Sequence, residues 1–127
     1  MEYLHILGRI LFGGYFVFSG FNHLSKMKMM TGYAQSKKVP LASLAVPFTG
    51  LMLLAGGLSY IFNFHVTAGS IILIAFLLPT TFMMHAYWSI QDPMQKMTER
   101  VNFEKNLALI GALILFLSLR YTLGVAL

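Results

Sequence analysis

The side chains best suited to chemistry lie at the end of one apolar stretch, FLLPTTFMMHAYW, which runs from Phe76 to Trp88. His85 and Trp88, the single tryptophan, are three residues apart, so a helix would place them on one face. An ionisable imidazole at the end of an apolar helix needs a polar partner, because lipid offers none. His85 is therefore the leading candidate for contact with a ligand. The structural alternative is an interfacial histidine that bonds to a neighbouring helix.

Three more polar residues are expected at the same depth as His85. His23 ends the first apolar segment, and Lys105 and Asn106 begin the last one. Imidazoles from facing helices are the usual axial ligands of haem, but four histidines without HxxxH spacing make haem a weak candidate. We predict a polar ligand pocket, without a metal site, formed by His85, Trp88, His23, Asn106 and Lys105.

Two arginines, Arg9 and Arg120, fall at the opposite ends of the first and last segments. If they are close together, they repel each other unless an anion lies between them, and a small oxyanion or a lipid phosphate would suit. The alternative is that both side chains reach to the lipid headgroups independently. Both interpretations stay open at this stage.

The composition explains which environment must hold these residues. Hydrophobic residues make up 57% of the 127-residue chain and charged residues 10%, against roughly 45–50% and about 25% in globular proteins. The chain therefore requires a bilayer. It contains no cysteine, which excludes disulfide and thiol chemistry. The net charge of +5 does not indicate nucleic-acid binding, because the lysines cluster in one connection instead of on an exposed basic surface.

Four apolar segments are each close to the roughly 20 residues that a membrane-spanning helix needs. They cover about residues 4–24, 41–62, 66–88 and 103–123. Runs of this length without alternation are helices and not barrel strands. We predict an all-α integral membrane four-helix bundle that forms a single domain over residues 1–127. Asp92-Pro93 is expected to end the third helix and cap the next turn.

Three of the segments repeat steps of four and three residues, which place side chains in one stripe along a helix. The stripes are Arg9, Gly13, Phe16, Gly20 and His23; Val46, Gly50, Leu53, Gly57 and Tyr60; and Asn106, Ile110, Leu113, Leu117 and Arg120. Glycines in such stripes allow close helix packing in membranes. If the stripes face inward, one end of the bundle holds the histidines and the other holds the arginines.

The positive charges predict the orientation in the cell membrane. Seven lysines and arginines lie in or beside the two long loops, and only Arg9 and Arg120 lie on the other side. Cytoplasmic loops carry the excess of Lys and Arg. We therefore expect a multi-pass protein with both long loops in the cytoplasm and both termini outside.

The sequence resembles the DoxX family of small four-helix membrane proteins over essentially its whole length. The resemblance rests on LGRILFGGYFVFSGFNHL, YAQSKKVP, the Gly56-Gly57 stretch, FLLPTTFMMHAYW followed by DP, and NFEKNLALIGALIL. Many members are similar in this pattern but carry a glutamate in helix two, where this chain reads PFTGLMLLAGG. The resemblance therefore supports no acid-dependent chemistry at that position.

The family resemblance implies a small membrane subunit or accessory of a quinone-linked redox system, similar to the thiosulfate:quinone oxidoreductase from which the family takes its name. The implied cofactor is a quinone, with His85 donating a hydrogen bond to a quinone oxygen. The implied partners are membrane or cytoplasmic redox proteins, the lipid bilayer and, as a further option, a second copy of the chain. A non-catalytic scaffold for soluble redox or stress enzymes is one alternative, and a small-solute permease or lipid-binding protein is another. Whether the chain is itself an enzyme stays open.

Overall fold

The computed structural model describes residues 1–124, and these residues form five helices. They are α1 (Glu2–Ser25), α2 (Met27–Ser36), α3 (Ala42–Phe62), α4 (Val66–Met84) and α5 (Pro93–Thr122), with a short 3₁₀ turn at Tyr87–Ser89 between α4 and α5. The four longer helices are long and apolar enough to cross a membrane. The predicted all-α four-helix membrane bundle is therefore confirmed.

Helices α1 and α3 pack against each other at the glycines of their stripes. A Cβ atom at Gly13 would lie 2.5 Å from the backbone oxygen of Gly57, and one at Gly20 would lie 2.7 Å from the oxygen of Gly50. Only glycine allows two helices to approach so closely. The two contacts fix α1 along the length of α3, with Arg9 beyond one contact and His23 beyond the other.

Helices α3, α4 and α5 pack in sequence order, and their inward stripes form the dry middle of the bundle. Leu53, Leu73 and Leu113 meet there with at most 1% of their surfaces exposed. The buried hydroxyls of Tyr60 and Ser70 satisfy each other, because they are hydrogen-bonded at 2.7 Å. The predicted stripes therefore face inward, and polar residues collect at the two ends of the bundle.

The structure corrects the predicted limits of the third and fourth helices. Helix α4 ends at Met84 and not at residue 88, since the chain leaves the helix at His85. Helix α5 begins at Pro93 and not near residue 103, because the Asp92 carboxylate accepts a hydrogen bond from the Gln95 amide and caps a new helix. Because the first part of α5 contains charges of both signs, a hydropathy profile does not show that it belongs to the helix.

The first long connection also contains a helix that the hydropathy does not show. Helix α2 packs against α3, where Ala34 is buried in a small cluster with Ala42 and Val46. The short helix covers one end of the bundle. It thereby brings its aromatic residue, Tyr33, next to the beginning of α5.

Candidate functional site

A cavity of about 500 Å³ lies under α2, between α1, α3, α4 and α5. Its lining is mainly apolar. The polar side chains in its wall include four of the predicted site residues, His23, His85, Lys105 and Asn106. We call this space the histidine cavity. Residues from five helices meet around it, so tertiary packing and not one local motif builds the site.

His85 is held by a buried carboxylate that the sequence prediction did not include. Its Nδ1–H donates to Oε2 of Glu99 at 2.5 Å, and the Glu99 residue is only 5% exposed. A buried carboxylate is stable only when it is paired and hydrogen-bonded. Because Nδ1 is engaged in this way, Nε2 is the ring nitrogen that remains for a ligand.

Tyr33 is the second donor to the same carboxylate. Its hydroxyl donates to Oε1 of Glu99, so both carboxylate oxygens are satisfied. Partial burial, together with the hydrogen bond to Glu99, raises the pKa of the Tyr33 phenol above its ordinary value. The phenol therefore keeps its proton at physiological pH and acts only as a donor to Glu99. We call Tyr33, Glu99 and His85 the carboxylate triad.

Asn106 and His23 are two further polar residues in the wall of the cavity. Asn106 is 5% exposed, and its side chain lines the cavity. His23 Nδ1–H donates to the Ser19 carbonyl oxygen at 2.9 Å, which leaves Nε2 as its second polar atom. A side-chain amide at this place can donate a hydrogen bond to a ligand with a carbonyl or hydroxyl oxygen.

Lys105 is placed differently from the other three residues. Its ammonium group lies 5.5 Å from the centre of the Tyr15 ring, where α1 and α5 face each other across the cavity. The side chain is exposed as a whole. Lys105 therefore contributes positive charge at the edge of the cavity. Among the described residues it forms no ion pair with Glu99.

Trp88 does not line the histidine cavity. Its ring packs on Phe103 with 5.5 Å between centroids and lies near Tyr87 and Phe82, and 54% of the residue is exposed. The prediction assumed that residues 85 and 88 share a helical face, but the helix ends at Met84. The 3₁₀ turn directs Trp88 to an aromatic cluster on the outside of the bundle, as expected for an interfacial tryptophan.

The two predicted arginines, Arg9 and Arg120, both lie toward the opposite end of the bundle. Arg9 lines a second cavity of about 330 Å³, together with Phe12, Tyr60 and Phe116. The guanidinium of Arg120 lies 5.6 Å from the centre of the Phe116 ring. We call this space the arginine cavity. The sequence prediction that both residues mark one end is consistent with this geometry.

The sequence contains a signal for Glu99 that was not used. Stepping backward from Asn106 along its stripe by three and then four residues reaches Phe103 and Glu99. Glu99 therefore continues the inward face of α5 by one more heptad. Tyr33 has no comparable signal, because its position depends on how α2 folds over the bundle.

The histidine cavity combines hydrogen-bond donors and acceptors with an apolar wall. Within residues 1–124, no group of three histidine and acidic side chains is arranged to hold a metal ion. The polar groups instead suit a flat, mainly apolar molecule with a few oxygen atoms, which is the usual chemistry of such pockets.

Comparison with known proteins gives one match. The sequence model of the DoxX family matches residues 4–86, which include nearly all of α1, the whole of α2 to α4, and His85. Comparisons with curated proteins and with solved structures give no significant match. The matched part contains His23, Tyr33 and His85, whereas Glu99 and Asn106 lie beyond it.

Proposed function

Because the chain belongs to the DoxX family, we propose that it is a small membrane subunit of a quinone-linked redox system and that its histidine cavity binds the quinone headgroup. The observation that carries this proposal is the carboxylate triad. A buried glutamate fixes the orientation of His85 in the wall of a largely apolar cavity. Such second-layer carboxylates orient a histidine toward the group on which it acts.

The cavity suits a quinone headgroup in size and in polarity. Its volume of about 500 Å³ falls within the roughly 300–1,000 Å³ of ordinary ligand pockets. Its wall includes the amide of Asn106, which can donate to a carbonyl oxygen. A bound quinone supplies two carbonyl oxygens that accept protons when the ring is reduced.

His85 can serve both redox states of such a ligand. With protons on both nitrogens, it donates from Nε2 to a carbonyl oxygen while Nδ1–H stays on Glu99. With Nε2 deprotonated, it accepts from a hydroxyl group. Glu99 holds the ring in the same position in both states, and the Tyr33 hydroxyl donates a hydrogen bond to the second oxygen of the carboxylate. The triad therefore positions His85 and lets it give up or take up one proton.

The electrons in this proposal come from a partner protein. The chain has no cysteine, so its own side chains provide no thiol–disulfide couple. Exposed lysines in α2 and in the connections beside it, including Lys26, Lys28 and Lys38, offer a positively charged docking surface. A scaffold without a quinone site would use the same surface, and the two functions make different predictions for His85.

The decisive experiment replaces His85 with glutamine, which keeps a polar side chain but removes the imidazole. Purified protein in nanodiscs is equilibrated with a short-chain ubiquinone, and the retained quinone is extracted and quantified. We expect His85→Gln to weaken retention about tenfold, the loss of roughly one charge-assisted hydrogen bond. The control is His65→Asn, since His65 is exposed, lies in the α3–α4 turn and has a positive φ that asparagine tolerates.

The outcomes separate the candidate functions. Weaker retention for His85→Gln with unchanged His65→Asn supports the quinone site. Equal retention by both variants, with the protein folded, contradicts it. If charge reversal at Lys28 and Lys38 then abolishes pull-down of a redox partner, the scaffold is favoured. Uptake of solutes into liposomes by the purified protein would favour the permease.

The proposed orientation places α2 and the beginning of α5 in the cytoplasm. The hydrogen bond between Tyr33 and Glu99 shows that these two segments lie at the same end of the bundle, and the positive-inside rule assigns that end to the cytoplasm. The absence of native cysteine allows a direct test. We expect Ser36→Cys to be labelled only from inside and Phe64→Cys only from outside by a membrane-impermeant maleimide; the reverse pattern would invert the topology.

A further inference from the structure

We propose that the ligand of the histidine cavity enters and leaves sideways, from the bilayer, through a portal between α1 and α5. The two sides of this portal are Tyr15 and Lys105. The ligand is then a molecule dissolved in the membrane, whose apolar tail stays between these two helices, and not a solute from the cytoplasm. This inference rests on the proposed quinone function, because it names the form of quinone that the cavity accepts and the path that it takes.

The loop end of the cavity is covered by α2. Met30, Tyr33 and Ala34 of this helix lie in the cavity wall. Ala34 is buried against α3, and the Tyr33 hydroxyl donates a hydrogen bond to Glu99 of α5. A ligand that arrived from the water phase would therefore have to displace a helix that is attached to two of its neighbours.

Close packing also closes the sides of the bundle that α1, α3 and α4 share. An added Cβ at Gly20 of α1 would lie 2.7 Å from a backbone oxygen of α3, and one at Gly56 of α3 would come into steric conflict with Leu73 of α4. Between α4 and α5, Phe103 packs edge-on against Phe82. Contacts as close as these leave no room for a ring to pass between the helices.

The bundle is open between α1 and α5. Helix α1 packs on α3, α3 on α4 and α4 on α5, whereas the backbones of α1 and α5 have almost no close contact among the described residues. Gly8 of α1 and Ala112 of α5 border the same space, the arginine cavity, and an added Cβ at Gly8 would meet no atom within 4 Å. The two helices are therefore separated at both cavities.

Tyr15 and Lys105 lie on the two sides of this opening. Both line the histidine cavity and both are exposed on the outside of the bundle, so they lie at its mouth. Tyr15 is about 15 Å of helix from Ser25, the end of α1, which places the mouth at the depth of the acyl chains. The opening therefore leads into lipid and not into water.

The contact between these two side chains can open without movement of a helix. The Lys105 ammonium lies 5.5 Å from the centre of the Tyr15 ring, and among the described residues Lys105 forms no ion pair. A single cation–π contact is a modest interaction, and a lysine stem is flexible. When the two side chains separate, a ligand can reach the polar wall that contains His23 and Asn106.

The size of the cavity indicates that the ligand has a tail outside it. About 500 Å³ is the volume of an ordinary pocket for one small molecule, so a headgroup with a tail of many isoprenoid units fits only if the tail leaves the bundle. The portal gives that tail an exit into an apolar medium. No polar group has to lose water when the tail lies there.

The first test locates the tail. Purified protein in nanodiscs is incubated with a ubiquinone headgroup that carries a farnesyl tail ending in a diazirine, with or without an excess of unlabelled short-chain ubiquinone. After illumination, the labelled peptides are identified by mass spectrometry. We expect the label that ubiquinone competes away to lie on α1 and α5, beside Tyr15 and Lys105. Competed label confined to α2, or to α3 and α4, would overturn the portal and leave the quinone site in place.

The second test measures how fast the ligand exchanges. The same probe is bound, short-chain ubiquinone is added, and samples are illuminated at intervals, so that the decay of the label gives the dissociation rate. We expect Tyr15→Ala to release the probe about tenfold faster than wild type, because the cation–π contact across the mouth is lost. Tyr15→Trp keeps an aromatic face for Lys105 and should release it no faster. Phe18→Ala is the control, since Phe18 is exposed on α1 and lines neither cavity.

The two measurements separate a failure of the portal from a failure of the quinone site. If Tyr15→Ala does not insert, Lys105→Met removes the other half of the same contact and should also speed release. Equal release rates in wild type and in the variants of Tyr15 and Lys105 would overturn the portal. A gate changes association and dissociation together, so Tyr15→Ala should change equilibrium retention less than it changes the rate, whereas His85→Gln lowers retention itself. Absence of competed label on every helix, with unchanged retention in His85→Gln, would overturn the quinone site and the portal with it.

Discussion

At one end of the bundle, the partly buried imidazole of His85 shares a buried carboxylate with Tyr33, whereas at the other end Arg9 lines a cavity without an ion pair among the described residues. Both ends place ionisable groups beside an apolar core. At the histidine end, Glu99 near the beginning of α5 provides the counter-charge for His85. This part of α5 extends past the hydrophobic core. At the arginine end, Arg9 instead lines a cavity whose wall is mainly apolar and aromatic.

The difference follows from helix length. Helix α5 has 30 residues and is about 45 Å long, which exceeds the roughly 30 Å hydrocarbon thickness. The excess lies mainly at its beginning, where the chain is charged, so this end can carry Glu99 beside α2. The extra length of α5 at this end therefore carries the counter-charge that positions His85.

The largest effect on stability should come from removing the Glu99 carboxylate at the histidine end. Glu99→Ala leaves the Tyr33 hydroxyl and His85 Nδ1–H without their acceptor and opens a small cavity. We expect a loss of about 2–4 kcal/mol in the free energy of unfolding, measured by denaturant titration in mixed micelles. The control Glu104→Ala, which removes an exposed acid one turn and a half further along α5, should leave stability nearly unchanged. Equal stability of both variants would show that the triad is not structural.

The next largest effect on stability should come from the contact between α1 and α3 at Gly13. Gly13→Ala places a Cβ atom 2.5 Å from the Gly57 backbone oxygen and forces α1 away from α3 near the arginine cavity. We expect this overpacking to lower the free energy of unfolding by about 1–3 kcal/mol, measured by denaturant titration in mixed micelles. Gly14→Ala is the matched control, because nothing lies within 4 Å of its added Cβ. A Gly13→Ala protein as stable as Gly14→Ala would disprove the close approach.

The sequence is sufficient to predict the parts of this architecture that depend on local pattern. Hydropathy predicts four spanning helices, and the 4-3 stripes predict which faces are buried, from Gly13 and Phe16 on α1 to Ile110 and Leu113 on α5. The stripes also assign His23 and Asn106 to one end. Each of these features repeats at the helical period, so it is visible without knowledge of the neighbours.

Features that depend on tertiary contacts are not predictable in the same way. The end of α4 at Met84 has no glycine or proline signal, and the bond from His85 to Glu99 accompanies the loss of helix there. Trp88 is misplaced for the same reason. The position of Tyr33 depends on the docking of α2 through Ala34, which buries too little surface to stand out in a hydropathy profile.

A smaller effect is expected from Tyr33→Phe, which removes one of the two donors to Glu99 and keeps the ring. The residue is 39% exposed, so water partly replaces the lost donor and the cost should be about 1 kcal/mol. The pKa of Tyr33 is raised in the folded protein, so its contribution is complete below the unfolded pKa of about 10 and is lost as pH rises above it, where the unfolded chain releases the proton first. The melting temperature of the wild type should therefore fall more steeply above pH 10 than that of Tyr33→Phe. Parallel alkaline profiles would remove Tyr33 from the triad.

The smallest effect should come from the residue next to Glu99 in sequence. Arg100 pairs with Glu104 through Nε at 2.9 Å, but both side chains are more than half exposed, and exposed ion pairs one helical turn apart contribute little. Arg100→Gln should leave the melting temperature unchanged within error, while Glu99→Ala lowers it by several degrees. Two adjacent positions on one helix would then differ because one faces the cavity and the other faces solvent. A clear loss of stability in Arg100→Gln would place the beginning of α5 in a different rotation and would contradict the carboxylate triad.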